Sequence, residues 1–360
     1  MRILKHYDLK RLIKKIRNWE QWPFNLLYAP ISPVWVWYII RSKSVWFFTA
    51  SNPKLSFGGM EGEPKQEMYN LLPKEYFPET FNVLPSDDLD KVVSLLNQHQ
   101  ISFPLVAKPE VGGQGIMVRK IDTLQKLKSY HEHSPVEYMI QELVTYKMEV
   151  SVFYFRLPHS EKGNISGFLL KIPLLVTGTG YQTLQQLINA HPKAVKRAKE
   201  LKRKHFDQLS RILAEGEIFH LSHAANHNRG AQFISLEKEI DGKLTSLFDT
   251  ISNHDNGFFY GRYDIMCNSV NDLKNGKNFK ILEYNGSGAE PNHFYDTGYT
   301  LVEAYREILH HWKMLYKISK QNKNSGIEYW PFMKGMKFLM NSKKHLKKIR
   351  KADKKLHEII

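Results

Sequence analysis

Two stretches decide the fold: 259-FYGRYDIMCNS-269 and, after a short polar loop, 279-FKILEYNGSG-288. Each is an apolar run with a carboxylate at a matching level, Asp264 in the first and Glu283, then Asn285, in the second. The intervening 270-VNDLKNGKN-278 contains Asn275-Gly276, and Asn-Gly between two apolar runs predicts a hairpin. Pairing would bring Asp264 and Glu283 together across the ladder, and the period of two puts Glu283 and Asn285 on one face. Three oxygen ligands on one side of a sheet suit a hard cation such as Mg²⁺, which takes few carboxylates and leaves room for substrate phosphates. Solvated surface carboxylates are the alternative, and the apolar residues preceding Asp264 and Glu283 argue against it.

Working outward, the chain reads as alternating strands and helices. Strands are expected at 103–109, 116–121, 136–144, 149–157 and 165–176, and helices at 87–99, 122–132, 183–191, 193–213 and 301–319. Ser86 is a candidate N-cap, and Thr300 with Glu303 has the spacing of a capping box. The fold class is α+β or α/β. Three regions are expected: a divergent stretch 1–84 with a basic helix and an aromatic-rich segment, a body over 85–320 divided near residue 165, and a basic tail over 321–360.

The 360 residues are 42% hydrophobic and 24% charged, the composition of a soluble protein of two or three lobes. The single cysteine, Cys267, excludes a disulfide framework or a cysteine-cluster metal site and suits a reducing compartment. Met1–Glu20 is charged throughout and lacks the apolar core of a secretory leader, so a cytoplasmic location is expected. The net charge of +16 sits in the arms: residues 1–20 carry +5 and residues 313–360 carry +11, leaving 21–312 neutral. A nucleic-acid enzyme would also line its groove with charge, so nucleic acid is not the expected partner. For 343-KKHLKKIRKADKKLHEII-360 two readings stand: a contact with the anionic inner face of a membrane, or a solvated helical tail. The segment 23-PFNLLYAPISPVWVWYIIRSKSVWFF-48 is too interrupted to span a bilayer; it is either interfacial or part of the core. The loop 56-SFGGMEGEPKQEMYNLL-72 is either a plain turn or a seat for a phosphate.

Four further clusters carry candidate chemistry. In 106-VAKPEVGGQGIMV-118, a strand delivers Lys108, and Gly112, Gly113 and Gly115 would let backbone N–H groups close on phosphate oxygens. In 138-YMIQELVTYKMEV-150, Gln141, Glu142 and Leu143 end a strand and Glu149 follows seven residues later. In 168-FLLKIPLLVTGTGYQTLQQLI-188, Lys171 interrupts a buried-looking strand, a costly place for an ammonium without an anion. In 223-HAANHNRGAQFISL-236, Asn226 and Arg229 precede a glycine, and the guanidinium fork suits an oxyanion. Each cluster alone is also explained by an ordinary turn or surface strand.

Taken in order, the clusters resemble the ATP-grasp superfamily, in its carboxylate–amine ligase branch, over roughly 85–320. Residues 261-GRYDIM-266 and 281-ILEYNGSG-288 look like the paired strands of D-alanine–D-alanine ligases; 171-KIPLLVTGTGYQTLQQLI-188 looks like a segment of cyanophycin synthetases; and 226-NHNRGA-231 looks like the corresponding run of glutamate ligases. The resemblance implies two α+β lobes gripping ATP, with Lys108 and Lys171 as nucleotide lysines and Gly112, Gly113 and Gly115 as a phosphate-covering loop. It implies Gln141, Glu142 and Leu143 at the adenine, Glu149 at the ribose, and Asp264, Glu283 and Asn285 around two magnesium ions, with Mn²⁺ as a substitute. Arg262, with Arg229, would stabilise the reacting oxyanion. The expected reaction joins a small carboxylate to an amine through an acyl phosphate; a phosphotransferase and a non-catalytic membrane-associated scaffold are the alternatives. A homodimer is common for the fold. The ligases usually continue Asn-x-x-Pro-Gly where this chain has 285-NGSGAEPNHFYD-296. Asn226, Gly286, Glu290 and His293 are therefore candidate substrate residues, with Asn292 and Asp296 beside them, and D-alanine is not the expected substrate.

Overall fold

The computed structural model describes residues 19–113, 115–222, 225 and 227–356. The basic helix expected over residues 1–20 therefore lies almost wholly outside the described residues, as does Asn226. The described chain opens with helices α1 (Phe24–Tyr28), α2 (Ser32–Ser42) and α3 (Lys65–Tyr69). Strands β1 (Thr80–Val83), β2 (Leu105–Pro109), β3 (Arg119–Ile121) and β4 (Tyr138–Glu142), with helices α4 (Leu89–Gln98) and α5 (Leu124–His133), form a smaller lobe. Its sheet is four-stranded, in the order β1-β4-β2-β3.

The larger lobe holds a five-stranded sheet in the order β11-β10-β5-β6-β9 and a two-stranded β7-β8 ribbon. Its strands are β5 (Met148–Phe155), β6 (Asn164–Ile172), β7 (Leu175–Thr177), β8 (Ile218–His220), β9 (Gln232–Ser235), β10 (Tyr260–Cys267) and β11 (Phe279–Asn285). Helices α6 (Leu184–Ala190), α7 (Ala198–Lys204), α8 (Gly242–Asn253) and α9 (Val270–Lys274) lie between them. Helices α10 (Leu301–Asn324) and α11 (Phe332–Leu356) close the described chain. Every strand pairing in these sheets is antiparallel, so the fold is α+β.

Strands β10 and β11 pair antiparallel, with Asp264 directly opposite Glu283 and Arg262 opposite Asn285. Their connection differs from the expected two-residue turn. Ser269 accepts a bond from the Asp272 N–H and starts α9, Asn275 caps its end, and Gly276 takes φ +69° just after it. The Asn-Gly pair thus terminates a helix, a role that the same left-handed preference serves equally well. Helix α4 likewise starts at Leu89 with Asp88 as its cap residue and no side-chain cap, so Ser86 is not the cap. The expected 193–213 helix shrinks to α7 between two 3₁₀ turns, because Leu201 is the only residue it buries and a helix without a buried stripe is marginal. The capping box at Thr300 and Glu303 forms as read.

Packing crosses the region boundaries expected from the sequence. Leu55, Met68, Tyr69 and Leu71 enter the same core as Val150, Tyr263 and Ile281 of the larger lobe. The glycine loop near residue 58 seats the chain that leaves β11: Ser287 and Gly288 donate their N–H groups to the Gly58 and Gly59 carbonyls, each at 3.1 Å. A Cβ on Gly288 would stand 2.0 Å from the Met60 carbonyl oxygen, so this approach requires glycine. At the other end, α11 buries Ile349, Ala352 and Leu356 in the core of the smaller lobe, and Arg119 pairs with Asp353 at 2.8 Å. The segment expected as a basic tail is therefore integral to that lobe, because an apolar seam runs along its lysine-rich sequence.

Candidate active site

The two sheets face each other across a cleft of about 460 Å³. The five-stranded sheet presents one face to it, and pairing places the charged residues in adjacent register: Asp264 opposite Glu283, Glu149 opposite Lys171, and Arg262 opposite Asn285. Lys171 Nζ lies 2.7 Å from Asp264 Oδ1 and 3.2 Å from Glu149 Oε1. Arg262 donates to both Asp264 oxygens at 3.3 and 3.4 Å and to the Glu290 carbonyl at 3.0 Å, which fixes its fork. Asn285 Nδ2 donates to Asp264 Oδ2 at 3.4 Å. Glu283 forms no hydrogen bond or ion pair among the described residues.

Burial alone would raise the Asp264 carboxyl, but Arg262 and Lys171 outweigh it and hold it at about 2. Burial likewise pulls against the Lys171 ammonium, which Asp264 and Glu149 nevertheless raise above the usual lysine value. Glu149 is itself raised, chiefly by burial. The cluster is a charge lattice in which each cation has an acid, the arrangement that makes buried charge tolerable.

Across the cleft, Lys108 Nζ donates to Gln141 Oε1 at 2.9 Å and to the Tyr69 hydroxyl at 3.1 Å. Tyr69 in turn donates to the Leu282 carbonyl at 2.9 Å, tying the lysine to β11. Burial lowers the Lys108 ammonium to about 8 even though Glu283 and Glu110 hold it up. A lysine that loses its proton near pH 8 grips a polyphosphate progressively less above it. The ATP affinity that the resemblance implies is therefore expected to fall as pH rises through about 8, and Lys108→Arg, which stays charged, to remove that fall; calorimetric titration at stepped pH measures both.

Of the residues expected from the sequence, the cleft wall contains Lys108, Gly112, Gly113, Gly115, Glu149, Lys171, Arg262, Asp264, Glu283, Asn285 and Glu290. Glu149, expected at a ribose, bonds Lys171. Gln141 is buried behind Lys108, and Glu142 and Leu143 lie off the wall. Arg229 also lies off it; from the same 3₁₀ turn His227 faces the cleft instead, stacked on Tyr295 at 4.2 Å. Gly286 packs against the Gly58 and Gly59 backbone. His293 lies off the wall: it is buried against Gly167 and bonds Glu307 at 3.1 Å, beside His311 on the same carboxylate oxygen.

Two contributors were not expected. Lys65, on α3, lines the cleft and donates to the Pro109 carbonyl at 3.0 Å. Tyr28, on α1, donates to Glu290 Oε1 at 2.7 Å, beside Tyr295 at 2.9 Å. Both come from the region that carries no resemblance, so only the lysine beside a glycine loop could have flagged the first.

Two α+β lobes built on antiparallel sheets thus face one cleft, with Lys108 on one wall and the paired acids Asp264 and Glu283 on the other. No family model and no curated protein matches the chain. Among solved structures it is similar to a bifunctional glutathione synthetase from Pasteurella multocida, at 17% identity and TM-score 0.40, over 70% of this chain and 35% of that one. It is similar to a D-alanine–D-alanine ligase from Bacillus anthracis at 14% identity and TM-score 0.39, over 73% of this chain and 67% of that one. The VanG D-Ala:D-Ser ligase from Enterococcus faecalis matches at 12% identity and TM-score 0.41, over 72% of this chain and 62% of that one. The chain thus spans about a third of the first relative's length and about two thirds of the others'.

Proposed function

We propose that the protein is an ATP-dependent ligase that joins a carboxylate to an amine. The observation that carries this reading is the pairing of Asp264 with Glu283 across β10 and β11, beside Asn285 and Arg262, on the wall that faces Lys108. Two carboxylates and an amide oxygen form a hard donor set that fits Mg²⁺, and Asp264, Glu283 and Asn285 would hold it. When bound, the ion supplies charge neutralisation between phosphate groups.

The protein's own side chains position and neutralise charge. Lys108 and Lys171 hold phosphate oxygens. A carboxylate oxygen of the acid attacks the terminal phosphorus of ATP, the bond to the bridging oxygen breaks, and ADP leaves an acyl phosphate. The amine nitrogen then attacks the acyl carbon, the carbon–oxygen bond to phosphate breaks, and the proton shed by nitrogen leaves with phosphate. Arg262, fixed by Asp264 and the Glu290 carbonyl, faces the oxyanion of that step, where one preorganised donor is worth on the order of 10²-fold or more in rate.

Glu290 supports an amine as the second substrate. Both tyrosine hydroxyls bond its Oε1, and the residue lines the cleft, so its carboxylate is the ordered anion on which a protonated amine docks and to which that amine gives its first proton before it attacks. Glu290→Gln is expected to raise KM for the amine by about tenfold or more, as loss of one charge-assisted contact does, with nucleotide affinity unchanged.

The reaction is tested by screening pooled acids and amines for phosphate release and identifying the product by mass. ADP formation that requires both an acid and an amine supports the ligase. ADP formation with an acceptor but no acid identifies a phosphotransferase and overturns it.

A further inference from the structure

We propose that the outer face of α2, continued by α1 and by the start of α11, docks on an anionic lipid bilayer. Helix α2 is divided lengthwise. Trp35 packs against Trp312 at 5.1 Å and Tyr38 stacks on Tyr316 at 4.5 Å, both on α10. Val36, Trp37 and Ile40 point the other way and are 51%, 54% and 62% exposed. Their spacing is that of a single helical face, so this is an apolar stripe and not scattered surface residues. Helix α1 adds Phe24, 65% exposed, and Leu26, 53% exposed.

Cations border the stripe. The Arg41 guanidinium lies 5.7 Å over the Trp37 ring. Lys43 follows, in a depression shared with Val45, Phe332 and the Lys323–Glu328 ion pair, and Met333, next to Phe332, is 73% exposed. An exposed apolar helical face with tryptophan, edged by Arg and Lys, matches the chemistry of a helix lying in a membrane interface. None of the described helices is long and apolar enough to cross a membrane, so the contact would lie along the surface.

Charge decides between occupants. The chain carries +16, and Arg41 over Trp37, Lys43 in the depression beside Phe332, and Lys334 at 4.0 Å over Trp330 stand at the edge of the face. A second copy would set like charges against each other, whereas acidic lipid headgroups complement them, at roughly 1 kcal/mol for each basic residue near the surface. The proposal is independent of the reaction in the cleft, since none of these residues lines it.

The test is co-sedimentation of the full chain with phosphatidylcholine vesicles and with vesicles also containing phosphatidylglycerol, at low and high salt. Binding to the anionic vesicles, weakened by salt and weakened about tenfold or more in a Trp37→Glu/Ile40→Glu double variant, is the expected result. Because both side chains are exposed, the variant should keep the wild-type melting curve, which verifies folding. Three results overturn the proposal: no binding to either vesicle; equal binding by the double variant, which would place the contact on the basic segments alone; or a soluble dimer that the variant dissociates, which would make a second copy the occupant.

Discussion

Replacing Asp264 with Asn is expected to lower turnover by on the order of 10²-fold or more and to lower the melting temperature as well, whereas Glu283→Gln is expected to match the first effect with a smaller drop in melting temperature. Both acids would share one divalent ion, so each loss removes charge where the phosphates are held. Their structural settings differ. Asp264 is the counter-ion of Lys171 and Arg262, whose side chains are only 6% and 17% exposed. Without it, among the described residues, Lys171 keeps only Glu149 and Arg262 loses its one carboxylate partner, and breaking such a pair costs about 3–5 kcal/mol. The Glu283 carboxylate has no hydrogen bond or ion pair among the described residues and supports Lys108, Lys65 and Arg262 only at longer range, so its neutralisation should cost less stability than that of Asp264. The Asp264 carboxyl, held at about 2, contributes its stability fully at neutral pH and loses it only as pH falls toward that value. Phosphate-release rates and melting curves for the two variants provide the comparison. A fully active Asp264→Asn protein would refute the assigned cleft chemistry.

Deleting the chain from residue 343 onward is expected to unfold the smaller lobe. The deletion removes Ile349, Ala352 and Leu356 from its core, the Arg119–Asp353 pair and the bond from the Met117 N–H to Asp353 at 2.9 Å. Truncating even one such buried aliphatic side chain to alanine costs about 2–5 kcal/mol, against a typical domain stability of about 5–15 kcal/mol. Limited proteolysis should cut between residues 80 and 142, and nucleotide binding should be lost with Lys108 and its loop. Ile349→Ala is the milder version, expected to lower the melting temperature while nucleotide binding survives. Retained lobe protection in the truncated chain would show that the helix is dispensable. The deletion therefore cannot serve as a clean test of the basic terminus, which is why the membrane test above uses surface substitutions.

The β10–β11 pairing and the acids it aligns were readable because a strand's period of two fixes which side chains share a face, whatever joins the strands. The joint itself was misread, since Asn-Gly suits a hairpin turn and a helix end alike, and Ser269 decided between them. Ile349, Ala352 and Leu356 show another limit. Their three- and four-residue spacing is a helical stripe, but charged residues, Lys351, Lys354 and Lys355 with Arg350 and Asp353, fill the positions between and mask it. Lys65 reaches the cleft, and Tyr69 and Tyr28 brace its residues Lys108 and Glu290, through short helices whose approach depends on tertiary packing, which no local pattern encodes. The resemblance implies Gln141 at the adenine, and its side chain turns inward to hold Lys108; a strand position gives the face but not what the side chain meets there.

The stitching of early residues into the larger lobe bears on how the polypeptide matures. Asn52 donates to the Tyr260 carbonyl across 208 positions, Tyr69 to that of Leu282 across 213, and Asn322 to that of Ala50 across 272. A growing chain exposes Leu55, Met68 and Leu71 long before their partners have been synthesised, and loop closure over such separations is slow. The larger lobe can therefore complete its core only late in translation, and until then its first apolar residues require shielding from aggregation.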